Sequence, residues 1–157
     1  MEYLGTLKTE NCKDLGISYL KGILNTFGAL NQPDSNLSYD YNIVKVEKKD
    51  GDLIESIKSN FEVFSTQLIK LDLITDELFK SALKGWLFET KYVSDYRIEC
   101  ETNFVFNLIK EIADYQNLYI INGLDSTTFS YDFGIYYEYF FLEGSNDSHI
   151  IYFSYSD

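Results

Sequence analysis

With 157 residues, 45% of them hydrophobic and 24% charged, the chain has enough apolar material for one folded core, and its net charge of -12 sets it against nucleic acid and anionic membrane surfaces. An aromatic content of 17% also excludes an acidic disordered tail, because disorder goes with few aromatic residues. No stretch is long and apolar enough to span a bilayer, and Met1-Glu2-Tyr3-Leu4 opens without the basic segment and apolar run of a secretion signal. The expectation is a single domain over residues 1–157, in the cytoplasm.

Asn11 to Gly28 reads as the first helix, with Leu15, Tyr19, Leu20, Ile23, Leu24 and Phe27 in one apolar stripe. The stretch from Asn31 to Asn36 holds the only proline, Pro33, and reads as a loop. Tyr39 to Glu47 alternates and predicts a strand; Lys48 to Asp52 predicts a turn. Leu53 to Leu71 carries Leu53, Ile57, Phe61, Phe64, Leu68 and Leu71 at helical spacing, with Asp50 or Asp52 placed to cap the start. Asp76 to Leu87 predicts a third helix, with Leu78, Phe79, Leu83, Trp86 and Leu87 inward; its end stays open, since Phe88 to Val93 could continue it or form a strand. Ser94 or Asp95 begins another helix that runs to about Tyr115, with Ile98, Val105, Leu108, Ile109 and Ile112 on its buried face.

Leu118 to Ile121 reads as a short strand, and Asn122 to Ser126 as a turn. Thr128 to Leu142 reads as one long strand. On it Phe129, Phe133, Ile135, Tyr139 and Phe141 share a core parity, while Asp132, Tyr136 and Glu138 fall on the other, which is expected to be wet. Glu143 to Asp147 closes a hairpin, and His149 to Tyr155 returns. This order favours an α+β fold: helices packed on one face of a mainly antiparallel sheet, ending in a C-terminal β-meander.

Charge is distributed unevenly along this plan. The first 110 residues hold 17 acidic and 13 basic side chains, whereas from Glu111 onward there are eight acids and no Lys or Arg. Eight of the 14 tyrosines lie in that same C-terminal stretch, so acids and phenols are interleaved there. Aromatic side chains flanked by carboxylates suit a cationic protein partner, with rings as anchors and acids as a steering rim.

Motifs for catalysis or cofactors are missing. The single histidine, His149, and the widely spaced Cys12 and Cys100 give no HExxH or CxxC pattern, and Asp50-Gly51-Asp52 is too short for a calcium loop. Neither GxGxxG nor a P-loop occurs. Asp132 and Glu138 are six residues apart on the expected strand. That is about 20 Å, too far to flank one glycosidic bond. The expectation is a protein that is not an enzyme, with no metal and no cofactor. Both cysteines are expected in helices as buried, reduced thiols, although the spacing leaves a disulfide open.

In size, charge and its acidic–aromatic last third, the chain resembles the small acidic immunity proteins and antitoxins of bacteria. That resemblance implies a protein that binds and occludes a basic toxin domain, such as a nuclease. The residues expected to contact the partner are Asp125, Asp132, Tyr136, Glu138, Tyr139, Glu143 and Asp147. The alternatives are a nucleic-acid-mimicking inhibitor of a DNA-binding enzyme and a non-catalytic subunit of a protein complex. A homodimer seam would also use exposed tyrosines.

Overall fold

The computed structural model describes residues 11–31, 36–49, 51–61, 64, 68–88, 95–124 and 136–156. The chain order is α1 (Asn11–Asn31), β1 (Ser38–Val46), α2 (Leu53–Asn60), β2 (Lys70–Leu73), α3 (Asp76–Leu87), α4 (Asp95–Ala113), β3 (Tyr115–Asn122), β4 (Tyr136–Gly144) and β5 (Ser148–Ser156). The strands form one antiparallel sheet in the order β1-β5-β4-β3-β2. The expected C-terminal meander is present, since β3, β4 and β5 are neighbours in sequence and in the sheet.

Helices α1, α3 and α4 cover one face. Leu20 and Leu24 of α1, Phe79, Leu83 and Leu87 of α3, and Val105, Phe106 and Ile109 of α4 bury their side chains with Ile43, Phe140, Leu142, Ile151 and Phe153 of the sheet. Local signals place α3 well. Thr75 caps it by accepting from the Leu78 amide at 3.2 Å, and Asp76 and Glu77 lie in its positive first turn. Lys110 near the end of α4 donates to Asp76 at 2.6 Å and holds that carboxyl below its ordinary range. This pair ties the start of α3 to the last turn of α4. Leu78, expected inward, is exposed on α3, and the Cys100 thiol, expected to be buried, is exposed on α4.

The second helix is shorter than its apolar spacing suggests. It ends at Asn60, whose side chain accepts from the Glu47 amide at 3.1 Å and donates to the Glu47 carbonyl at 3.0 Å. Phe61 then turns extended, Phe64 is buried, and Lys70–Leu73 becomes the edge strand β2. Leu68, assigned to the buried side of a helix, is 86% exposed. The cap at the other end is the expected one: Asp52 accepts from the Ile54 amide at 2.9 Å.

Short α2 and Phe64 fill the face of the sheet that the longer helices leave uncovered. There Ile57, Phe64, Ile69, Val46, Ile121, Tyr139, Phe141 and Ile150 form a second core cluster. The expectation of one wet face on β4 is therefore corrected. Phe140 and Leu142 point into the helix layer, Tyr139 and Phe141 point away from it, and all four are buried. Residues 128–135 of the expected long strand lie outside the described residues, as does the end of the turn after Asn122. Within that turn Gly123 adopts φ 86°, and a side chain there would run into the Leu68 carbonyl, so glycine is needed on both counts. Among the described residues no helix is long and apolar enough to cross a membrane.

Candidate functional site

The cross-strand register builds a groove at one end of the helix-covered face. Ile43, Ile151, Phe140 and Ile120 stand in one row across four strands and belong to the core. The next row outward is Tyr41, Phe153 and Glu138. The row beyond it is Tyr39, Tyr155 and Tyr136, three phenols side by side on β1, β5 and β4. Ring centroids along this last row are 5.5 Å apart between Tyr39 and Tyr155 and 6.1 Å apart between Tyr155 and Tyr136.

Trp86, the only tryptophan, comes from α3 and lies against both outer rows. Its ring is nearly parallel to Tyr136 (5.2 Å, 21°) and to Phe153 (5.6 Å, 16°), and meets Tyr41 edge-on at 5.8 Å. Hydrogen bonds fix it at both ends. The Tyr41 hydroxyl donates to the Trp86 carbonyl at 2.9 Å, and Asn31 at the end of α1 donates to the same oxygen at 3.1 Å. The indole Nε1–H donates to Glu138 Oε1 at 2.8 Å. Burial pushes the Tyr41 phenol up to about 12, so it stays a neutral donor at physiological pH.

The result is a groove of about 530 Å³ lined by Tyr39, Tyr41, Leu78, Ala82, Trp86, Tyr136, Glu138 and Tyr155, together with Ser81 and Gly85. Trp86 forms its floor at 7% exposure, and Tyr136 its rim at 51%. Among the described residues that line it, Glu138 alone carries a formal charge, and that charge is negative. Its proximity is the main reason why the Tyr136 phenol is raised above its ordinary value, with partial burial and Tyr155 adding to it.

The residues expected to meet a partner are not brought into one patch. Tyr136 and Glu138 meet at the groove, though on the helix-facing parity of β4 and not on an open wet face. Tyr139 is corrected from a partner-contacting residue to a core one. It is 6% exposed, stacks on Tyr152 at 5.0 Å and meets Phe64 edge-on at 5.5 Å, because α2 and Phe64 cover the parity on which it stands. Glu143 and Asp147 sit at the opposite end of the β4–β5 hairpin. Glu143 accepts from Asn117 at 2.8 Å and lies 4.0 Å from the Lys48 ammonium, while Asp147 lies 3.5 Å from Lys45. Asp125 and Asp132 lie outside the described residues.

The sequence reading missed Trp86, Tyr39, Tyr41 and Tyr155 as site residues. The available signal was parity: Tyr39 and Tyr41 are two apart on β1, as are Phe153 and Tyr155 on β5, but only the register shows that these pairs align with Tyr136 and Glu138. His149 is buried on β5 and does not line the groove, and no cluster of three metal-ligating side chains occurs among the described residues. In comparison with known proteins, the chain matches no family model, no curated protein and no solved structure.

Proposed function

We propose that this protein is a non-catalytic, acidic inhibitor of the immunity-protein kind, which binds and occludes a basic toxin domain. The observation that carries the reading is the groove: a half-buried carboxylate set among tyrosines, with no cation among the described residues of its lining, on a chain of net charge -12. A carboxylate that only satisfied the indole N–H could be replaced by a neutral acceptor. Glu138 brings a charge as well, and that charge costs desolvation unless a cation arrives from outside. Rings around a charged centre are the composition of an interface hot spot, and the surrounding negative field would speed encounter with a basic surface.

Two features favour this over a nucleic-acid mimic. A mimic needs carboxylates in an open array, yet Glu143 and Asp147 stand beside lysines of this same chain. The groove is also concave and aromatic, which suits an inserted side chain better than a protein surface shaped to hold a phosphate backbone.

The test begins with capture of partners from the native cell at low and moderate salt, using the wild-type protein and the joint Tyr136→Ala, Glu138→Gln variant. The captured partner is then purified and its activity assayed with each protein added. The expected result is a basic protein whose activity falls with the wild type and is spared by the variant. Partners of acidic character, or binding that ignores both salt and the double replacement, would remove the proposal.

A further inference from the structure

We infer that the Trp86 groove is a receptor for a single arginine side chain of the partner; this rests on the reading of the protein as a binder of basic domains. The geometry has the three parts a guanidinium requires. The first is a planar, accessible ring: Tyr136 is half exposed, and its inner side is braced by the near-parallel Trp86 at 5.2 Å. The second is a fixed acceptor. One oxygen of Glu138 is held by the indole N–H at 2.8 Å, which leaves the other oxygen for an incoming N–H. The third is a partly dry surround, since Tyr39, Tyr41 and Tyr155 close the sheet side of the groove and Leu78 and Ala82 the helix side.

Arginine fits these parts better than lysine. A guanidinium is flat and weakly hydrated, stacks on aromatic faces and presents a fork of donors, whereas an ammonium is a compact ion that holds its water. A cation over a tyrosine ring changes affinity by roughly twofold to thirtyfold, depending on how dry the site is. The groove is also prepared before the partner arrives. Trp86 is tied at its carbonyl by Tyr41 and Asn31 and at its indole by Glu138, so little ordering remains to be done on binding.

Because the chain has one tryptophan, its indole N–H resonance reports on this groove alone. The probe is Nα-acetyl-arginine amide, titrated into the isotope-labelled full chain and compared with the neutral, equally shaped Nα-acetyl-citrulline amide and with Nα-acetyl-lysine amide. The expected result is a saturable shift of the Trp86 resonance with the arginine probe. Citrulline should bind about tenfold more weakly, and lysine several-fold more weakly. Glu138→Gln, which keeps an acceptor for the indole but loses the charge, should bring the arginine probe down to the citrulline level. Tyr136→Ala, at a half-exposed position and checked by circular dichroism for an intact fold, should weaken the arginine probe as well.

An equal response to citrulline overturns the charge argument, and an equal response to lysine overturns the choice of guanidinium. A resonance that does not move overturns the receptor itself. Any of these could occur while the captured partner still binds elsewhere on the surface, so failure here is distinct from failure of the inhibitor reading.

Discussion

The two ends of β4 each carry one glutamate and differ in electrostatics. At one end Glu138 sits among tyrosines, bonded to an indole, with no lysine among the described residues of the groove. At the other, Glu143 and neighbouring Asp147 reach Lys48 and Lys45, which the sheet brings from β1 and the segment after it. From sequence both ends belong to one cation-free stretch. In the fold the hairpin end borrows positive charge from a stretch more than 90 residues earlier, and among the described residues the groove end does not. Net charge per segment thus says little about local field; the partners that the sheet supplies decide it. The two ends are also separated by five residues along the strand, about 17 Å, and lie on opposite faces.

The largest expected effect breaks the groove end outright. Trp86→Ala removes a buried indole that touches Tyr41, Tyr136 and Phe153, and should lower unfolding stability by about 3–5 kcal/mol in urea titration. A loss below about 1 kcal/mol would mean that the ring stack contributes little to packing. The next effect separates the ends by charge. Glu138→Gln should weaken binding of a basic partner about tenfold, as expected for loss of a charged hydrogen-bond acceptor. The joint Glu143→Gln, Asp147→Asn variant should change that affinity less than about threefold and change stability by under about 1 kcal/mol, because its ion pairs are long, at 4.0 and 3.5 Å, and Gln can still accept from Asn117. Calorimetry on both variants reads the difference, and equal losses would erase the distinction between the ends.

Much of the fold was legible because local signals agreed. The helix that ends at Leu87 starts at Asp76 as expected, with Thr75 before it and acids in its first turn, and the 143–147 hairpin follows from turn residues between apolar runs. Two errors have physical causes. Phe61, Phe64, Leu68 and Leu71 keep helical spacing after Asn60, yet the helix ends there and Leu71 lies in an edge strand; the Asn60 bonds to Glu47, formed in three dimensions, hold that end. On β4, alternation was read as one buried and one wet face. The consecutive Tyr139-Phe140-Phe141-Leu142 was the contrary sign, because an unbroken apolar run marks a strand covered on both sides. Tyr136 and Glu138 could be picked from the sequence as a pair, but the groove could not. It needs Trp86 from a helix some 50 residues upstream, two tyrosines from β1 and one from β5.

Alkaline pH acts on the groove end through its phenols. Tyr41 is raised from 10.0 to about 12 by burial, so the unfolded chain loses this proton first. Its contribution to stability is therefore complete below about pH 10 and is lost as pH rises through about 12. Ionisation also removes the donor that holds the Trp86 carbonyl. Denaturant midpoints should fall above pH 10, and Tyr41→Phe should flatten that fall while costing some stability at neutral pH.

The smallest effect is the most discriminating, since it compares one phenol from each end of the strand. Tyr136 is raised chiefly by the charge of Glu138 and only secondarily by burial. Tyr119, near Glu143, is raised first by burial and then by that carboxylate. Removing each charge in turn should therefore have unequal consequences. Glu138→Gln should remove the largest cause of the Tyr136 shift, whereas Glu143→Gln should leave the largest cause of the Tyr119 shift, burial, in place. Ring-carbon chemical shifts followed through an alkaline titration resolve the two tyrosines separately. If both phenols relax equally, the carboxylate at the groove is no less compensated than the one at the hairpin. The groove would then have lost the uncompensated charge on which a cationic ligand depends.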